Sequence, residues 1–261
     1  MKIFNSFLSY ALVIVCCTVH YHTFGQQNTS GKVIYKIGFS SNTAERSTRM
    51  KEASTNMGQE QDNFIAIMSE VNEKIEQYDF ELQFNSSSSL YRLRNEVTGD
   101  NLSDQLAIST VGGNTIYFKD LKQRSRIEQR RYSGQLLNVI MEYDRFDWTI
   151  TPESKMIDQY LCYKAKATMV FTGKFGEELS NQITAWFTTS IPAPYGPQGI
   201  DGLPGLILEL SIGESDRYIY ASKITLLPSS LEIKLPKGGK DIPHEEYQKI
   251  LVQENIRRAK Y

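Results

Sequence analysis

Hydrophobic residues recur at period two in two short segments of the N-terminal third, and both segments are predicted to be strands. Val33, Tyr35 and Ile37 share one face of the first, which gives a strand from residue 31 to residue 40. In the second, apolar residues alternate with polar ones at Tyr78, Phe80, Leu82 and Phe84. Such alternation is typical of a half-buried strand whose other face meets water.

Between these two strands the hydrophobic period becomes helical. The apolar residues there are Phe64, Ile67, Met68, Val71 and Ile75. Their spacing predicts a helix that begins at Asp62 or Asn63, either of which can cap it, and ends near Gln77. Residues 41–59 are polar and are expected to form a loop or a frayed helix. A further helical stripe in residues 244–260 predicts a C-terminal helix.

Most of the remaining chain alternates between short apolar segments and turn residues. The predicted strands cover residues 90–94, 115–119, 125–131, 136–143, 146–150, 162–172, 182–189, 206–211 and 218–226. Closely spaced strands without helical periods between them favour an antiparallel meander. We therefore predict a mainly β (α+β) fold. It consists of a single large curved antiparallel sheet, half-barrel-like, with an N-terminal helix and a C-terminal helix packed on or near it.

The first 25 residues have the pattern of a secretory signal peptide. Lys2 precedes an apolar run from Phe7 to Val19, and the small residues Thr23 and Gly25 suit a cleavage site before residue 26. The run is well short of the roughly 20 residues that span a bilayer. A lipoprotein signal is disfavoured because Val15, not a small residue, precedes the first cysteine of the run. Residues 26–261 are predicted to be a single β-rich domain.

Charge and composition exclude several classes of function. With 29 Lys and Arg against 30 Asp and Glu, the chain has no global reason to bind nucleic acid. After cleavage Cys162 is the only cysteine, so an intramolecular disulfide is excluded, and His244 is the only histidine. A histidine-dependent triad or metal site would therefore depend on one residue, and no metal or cofactor is predicted. Cys162 is expected to be a buried strand residue, and His244 to be exposed at a helix start.

The segment 186–207 concentrates proline and glycine. It holds four of the eight prolines, Pro192, Pro194, Pro197 and Pro204, and four of the seventeen glycines, Gly196, Gly199, Gly202 and Gly205. Proline fixes φ and glycine permits positive φ, so the segment is expected to hold one backbone shape. Residues 203–206 are predicted to form a type II turn, with Pro204 at its second position and Gly205 at its third, at positive φ.

These residues resemble the GLPGLI family, a group of exported proteins from the Bacteroidota. Residues 202–207 read Gly-Leu-Pro-Gly-Leu-Ile, the string that names the family. Further matches are residues 185–188, Ile191-Pro192, Gly196-Pro197, Trp148-Thr149-Ile150, Lys155, Ile157, Tyr160, Cys162 and Lys164-Ala165. The resemblance implies an envelope protein of a Gram-negative bacterium. It implies no activity, because the family is one of unknown function.

The proline- and glycine-rich segment is also the candidate site. Its candidate binding or structural residues are Trp186, Pro192, Tyr195, Gly196, Pro197, Gly202, Leu203, Pro204 and Gly205. One interpretation is a rigid lid over one end of the sheet's core, which is favoured because such clusters usually solve backbone and packing problems. The other is a preformed rim that binds a peptide, lipid or glycan through Trp186 and Tyr195.

Two charged features point to further chemistry. Asp201 and Glu209 flank the predicted turn and could serve a carboxylate-dependent enzyme, although a turn residue and a solvent-facing glutamate are the favoured interpretation. A row of charged residues at period two comprises Lys122, Arg124, Arg126, Glu128 and Arg130. It is expected to be a solvated face paired with Glu142 and Asp144, or else a surface for anionic lipid, lipopolysaccharide or peptidoglycan.

Together these features predict a protein that is secreted across the inner membrane and remains in the periplasm or cell envelope. The favoured function is non-enzymatic binding, transport or assembly of a lipid, a peptide or an envelope protein. The alternative is an envelope hydrolase or transferase that uses carboxylates. No nucleic-acid partner and no membrane span in the mature chain are predicted.

Overall fold

The computed structural model describes residues 29–94 and 101–260, so the predicted signal peptide lies outside the described residues. The strands are β1 (Ser30–Phe39), β2 (Phe80–Phe84), β3 (Ser88–Leu93), β4 (Thr115–Asp120), β5 (Ser125–Tyr132), β6 (Gln135–Ile140), β7 (Thr149–Ile157), β8 (Tyr160–Thr172), β9 (Glu178–Thr188), β10 (Leu206–Ile212), β11 (Arg217–Leu227) and β12 (Lys240–Pro243). The helices are α1 (Thr43–Ala53), α2 (Gln61–Gln77), α3 (Leu102–Thr110) and α4 (His244–Arg258), and short 3-10 turns cover Thr55–Glu60 and Pro197–Gly199.

All these strands form one sheet in the order β12-β6-β5-β4-β3-β2-β1-β11-β10-β9-β8-β7. Neighbours pair antiparallel except at one edge, where β12 runs parallel to β6. The chain is thus mainly β, with a single large sheet and helices towards both ends, as the hydrophobic pattern predicts. The β2 to β6 and β7 to β11 segments are meanders, and β1 joins them at the centre of the sheet.

The contacts of Asp201 show that this sheet curls strongly. Its carboxylate contacts Arg126 of β5, while its main-chain oxygen accepts a hydrogen bond of 2.9 Å from Trp148, directly before β7. β5 is third and β7 twelfth in the sheet order, which would separate them by about 43 Å in a flat sheet with strands about 4.8 Å apart. The half of the sheet that contains β2 to β6 and the half that contains β7 to β11 therefore curve towards Asp201. The face that they enclose is called the inner face below.

The main hydrophobic core covers the inner face. β1 and β2 contribute the buried residues expected from their alternation, including Val33, Tyr35 and Leu82. α2 adds Val71 and Ile75 from one stripe, as its helical period predicts. The loop between β9 and β10, residues 189–205, adds further buried residues: Ile191, Ala193, Tyr195, Ile200 and Leu203. The core is thus closed partly by helices and partly by this loop.

The C-terminal helix begins and ends close to the two edges of the sheet. Tyr247 of α4 packs with Leu137, Val139 and Met141 in a second, smaller core beside β6. Near the other end of α4, the Asn255 amide donates a hydrogen bond of 3.1 Å to the carbonyl of Lys174 in the β8–β9 turn. The helix therefore crosses from one side of the curled sheet to the other. None of the helices in the described ranges is both long and apolar enough to cross a bilayer.

Candidate functional site

Three prolines of the β9–β10 loop lie at the centres of three-residue turns. The amide of the residue after each proline donates to the carbonyl of the residue before it: Ala193 to Ile191 at 2.8 Å, Tyr195 to Ala193 at 2.7 Å, and Gly205 to Leu203 at 2.8 Å. These are γ-turns, and proline suits the inverse form because its fixed φ is close to the value required at the centre. Together they bend the loop sharply back over the core.

The predicted type II turn at residues 203–206 is wrong. Gly205 is not among the glycines at positive φ, and its amide closes the γ-turn on Pro204 instead. Glycine is required there by proximity, because a Cβ at Gly205 would lie 2.1 Å from the carbonyl oxygen of Thr188. The neighbouring Gly202 has the positive φ, at 96°. The proline- and glycine-rich segment does hold a specific backbone shape, but through γ-turns rather than through a type II turn.

The predicted site residues of this loop divide by exposure. Tyr195, Gly196, Pro197, Leu203 and Gly205 are buried, whereas Pro192, Gly202 and Pro204 are exposed and Trp186 is half-buried. Most of the segment therefore contributes to the core, which agrees with the interpretation of a lid. A binding role for the exposed residues stays a prediction.

Trp186 and Tyr195 cannot form one binding rim. Tyr195 is 1% exposed and its ring lies 6.3 Å from that of Phe84 inside the core. Trp186 lies on the opposite face of β9 from its buried neighbour Phe187, because successive strand residues alternate between faces. On that outer face the Lys155 ammonium lies over the Trp186 ring, 4.4 Å from its centroid.

Asp201 is the centre of a buried charged cluster, so its interpretation as an ordinary turn residue is wrong. One carboxylate oxygen lies 2.6 Å from both Lys119 Nζ and an Arg126 guanidinium nitrogen, and all three side chains are less than 10% exposed. Burial lowers the pKa of Lys119 from its usual value even though Asp201 favours the charged form. Arg126 also donates to the carbonyl of Gly199 at 2.6 Å. The cluster fixes the loop to β4 and β5.

Glu209 does not form a catalytic pair with Asp201. Its two carboxylate oxygens lie 2.7 and 2.8 Å from Lys155 Nζ, beside Trp186. It is thus partly buried and ion-paired rather than simply facing water. Each carboxylate is held by its own cations, Asp201 by Lys119 and Arg126 and Glu209 by Lys155, so the two do not act as one catalytic pair.

The charged row at residues 122–130 is not a solvated face. Lys122 and Arg124 are exposed in the β4–β5 turn, and Arg124 pairs with Asp144 as predicted. Arg126 and Glu128 instead point to the inner face, where both are buried. Glu128 is ion-paired with Arg130 and lies 3.4 Å from Arg145. Alternating charges on β5 therefore form the polar part of the interior.

An open cleft lies where the two edges of the curled sheet approach each other. It has a volume of about 760 Å³. One wall is formed by Thr168–Thr172 of β8 and by the start of β9, and the other by α4 and by residues 141–147, which connect β6 to β7. Its lining includes apolar Met141, Met169 and Phe171 beside polar Gln248. A second groove along α4, of about 490 Å³, continues from it past Thr172 and Gly176.

His244 lines this cleft, so the prediction that it is simply exposed is wrong. Its ring is half-buried, with Nε2 2.8 Å from the amide nitrogen of Gln248 one helical turn later. Burial is the main cause that lowers the pKa of His244 below its usual value, and nearby Arg145 lowers it further. The imidazole is therefore neutral at pH 7 and presents a hydrogen-bonding group to the cleft.

Cys162 is confirmed as a buried strand residue. It is fully buried in β8, and burial raises the pKa of its thiol to about 11, which makes it a poor nucleophile. Within the described ranges, no group of three or more His, Cys, Asp or Glu side chains is placed to hold a metal ion.

The residues of the cleft were missed by sequence reasoning. Met141, Met169 and His244 come from three distant parts of the chain and meet only because the sheet curls. One signal was available in Ala167–Thr172, an uncharged and β-branched segment that extends β8 beyond β7. The partner of Asp201 could not be found from spacing either, because Arg126 is 75 residues away.

Part of the chain is similar to a family of unknown function. A family model described as a protein of unknown function (Porph_ging) matches residues 174–209, which include the whole proline- and glycine-rich segment. The match is consistent with the resemblance to a family of unknown function, and it covers well under half of the chain. No curated protein matches the sequence.

Comparison with solved structures gives similarities at low sequence identity, one of them with a TM-score above 0.5. PNGF-II in space group P21 aligns with 87% of this chain at 13% identity and a TM-score of 0.51. PNGF-II in space group C2 has a TM-score of 0.49, and LprF from Mycobacterium bovis aligns with 82% of this chain at 12% identity and a TM-score of 0.26. This chain spans about one third of the PNGF-II chains, 33% and 34%.

Proposed function

We propose that this protein is an exported cell-envelope protein of the GLPGLI type that binds a ligand or partner segment in the cleft between the sheet edges. Its role is binding, transport or assembly in the periplasm rather than catalysis. The observation that carries the proposal is the cleft itself. Its volume of about 760 Å³ lies within the range of roughly 300–1,000 Å³ typical of ligand pockets, and its lining combines apolar side chains with a larger number of polar and charged ones.

The enzymatic alternative has less support. A hydrolase or transferase would need carboxylates that can exchange protons, whereas Asp201 and Glu209 are each ion-paired to their own lysine or arginine. The buried Cys162 thiol and the half-buried His244 do not form a nucleophile and base in contact. The periplasmic location is supported by the sequence of residues 1–25 and by the resemblance of residues 202–207 to exported proteins.

Native mass spectrometry of protein purified from its own envelope tests the binding role. The protein should carry a co-purifying molecule, and Thr172→Trp should abolish this added mass because the indole fills the shared part of both grooves. Thr225→Trp is the matched control, since Thr225 is an exposed strand residue on β11 away from the cleft. A bare wild-type mass, or an added mass unaffected by Thr172→Trp, would contradict the proposal.

The same preparation tests export. Its intact mass should correspond to a chain that begins near Gln26, because Thr23 and Gly25 occupy the small-residue positions of a cleavage site. Export with cleavage would be refuted by a mature chain that keeps Met1, or by acyl chains on Cys16 or Cys17.

A further inference from the structure

The wall of the cleft formed by β8 is an open strand edge. β8 pairs with β7 only over residues 160–166, because β7 begins at Thr149, opposite Lys166. Its remaining residues, up to Thr172, pair with β9 on one side alone. Along an antiparallel strand every second residue directs both its N–H and its C=O to the same side. Half of these residues therefore direct main-chain groups into the cleft, where the described residues offer no strand partner.

This edge lacks the sequence features that usually protect an open strand. Natural edges are blunted by charged side chains, proline or bulges, because they otherwise recruit further strands. Residues 167–172 read Ala-Thr-Met-Val-Phe-Thr, without charge or proline, and Val170 is 54% exposed. The β8–β9 pairing is regular along this stretch. Residues 167–172 therefore favour a strand, and one edge of this strand is unpaired inside the cleft.

The mouth of the cleft carries uncompensated negative charge. Glu142, Asp147 and Glu178 line it, are exposed, and have no ion-pair partner among the described residues. The one arginine of the lining, Arg145, lies next to the carboxylate of Glu128. His244 adds no charge at pH 7, since its pKa is below its usual value. A ligand with positive charges is therefore electrostatically complementary to this mouth.

We propose that the cleft binds an extended, basic peptide segment, which adds as a strand to the free edge of β8 at Thr168–Thr172. Main-chain hydrogen bonds give affinity, apolar side chains contact Met169 and Phe171, and Lys or Arg side chains lie among Glu142, Asp147 and Glu178. This inference rests on the proposed function, because it uses the same cleft, and it names the class of partner. An unfolded or extended segment of another envelope protein fits this chemistry.

The test uses a pool of octapeptides in which Lys or Arg alternates with Val, Ile, Leu or Phe. The purified mature chain is incubated with the pool, and the retained peptides are identified by mass spectrometry after gel filtration. Two further pools carry N-methyl groups on alternate peptide bonds, one in each phase. Because one strand edge uses the N–H groups of alternate residues, one methylated pool should lose binding and the other should keep it. A pool with Glu or Asp in place of the basic residues should not be retained.

Protein variants locate the retained peptide. Glu178→Gln should weaken binding about two- to fivefold, the usual effect of an exposed ion pair. Glu73→Gln on α2 is the matched control, an exposed glutamate outside the cleft, and should leave affinity unchanged. Hydrogen exchange should show new protection of main-chain amides within residues 168–172 when peptide is bound.

An acyl-chain probe separates failure of this inference from failure of the proposed function. If a fluorescent fatty-acid probe binds and Thr172→Trp removes it while no peptide is retained, the cleft is a binding site and the peptide inference is overturned. If neither probe binds, both proposals fail. Retention of the acidic pool, or equal retention of both methylated pools, also overturns strand addition as the binding mode.

Discussion

At Gly205 the backbone of the β9–β10 loop passes directly against the backbone of β9. A side chain there would overlap the carbonyl oxygen of Thr188, whereas a Cβ at Gly202 would meet nothing closer than 3.7 Å. Gly202 has the positive φ and is exposed. The two glycines are therefore required for different physical reasons. Gly205 is required because a side chain would overlap the backbone, and Gly202 because its φ is positive. The γ-turn on Pro204 between them supplies the change of direction.

Alanine substitution at each glycine distinguishes these reasons. Gly202→Ala should cost about 1–2 kcal/mol in the free energy of unfolding, the penalty of a left-handed residue with free space around it. Gly205→Ala should cost more, about 3 kcal/mol, because the backbone of β9 or of the loop has to move. Urea denaturation measures both values. Equal losses, or a smaller loss at Gly205, would show that close approach to Thr188 does not set the requirement.

Single elements were predictable where the hydrophobic pattern is local. The period of three and four places α2 at Gln61–Gln77 almost as predicted, and the period of two gives β1 and β2 within a few residues. Two elements were missed. α3 has a weak amphipathic pattern, although Asn101 caps it by accepting from the amide of Asp104. β12 has four residues and pairs with a strand about one hundred residues earlier, so no local pattern could reveal it.

Other elements differ from prediction because of their surroundings. Of the two predictions for residues 41–59, a loop or a frayed helix, the structure favours the helix, because it contains α1 with an Asn42 capping box. The strand predicted at 146–150 begins only at Thr149, since the preceding residues cross between the two edges of the sheet and supply Trp148 to Asp201. The cleft as a whole was not predictable, because it lies between elements that have no sequence relation to each other; only its β8 wall left a signal in the sequence.

Tyr247 is expected to dock α4 onto the sheet. It is buried, its ring meets that of Tyr132 edge to face at 5.9 Å, and the guanidinium of Arg130 lies 5.5 Å from its centre. Tyr247→Ala should therefore release the helix and speed amide exchange throughout His244–Arg258, while β1 and β2 stay protected. Tyr247→Phe keeps the ring and should behave as wild type. Unchanged protection of α4 in the alanine variant would mean that other contacts hold the helix.

On the scale of the whole molecule, α4 and Asp201 each connect the two halves of the curled sheet. α4 spans the open side, from Tyr247 beside β6 to Asn255 at the β8–β9 turn. Asp201 connects β4 and β5 to Trp148 through the loop. Between these two connections the edges stay apart and leave the cleft. The same curvature that buries the core therefore creates the space that a partner can enter, with β8 as its open edge.

Asp201→Asn should weaken the whole fold. The change leaves Arg126 buried without its anion, and removing one partner of a buried ion pair typically costs about 3–5 kcal/mol. Lys119 should contribute less of that cost than Arg126, because burial already lowers its pKa and it can release its proton, whereas a guanidinium cannot.

The matched control for Asp201→Asn is Asp144→Asn, which breaks the exposed pair with Arg124. Both pairs have an N–O distance of 2.6 Å, but the side chains of Arg124 and Asp144 are 65% and 78% exposed. The control should therefore cost under about 1 kcal/mol. Urea denaturation at pH 7 gives both values, and similar losses for the two variants would mean that Asp201 does not hold the curled sheet together.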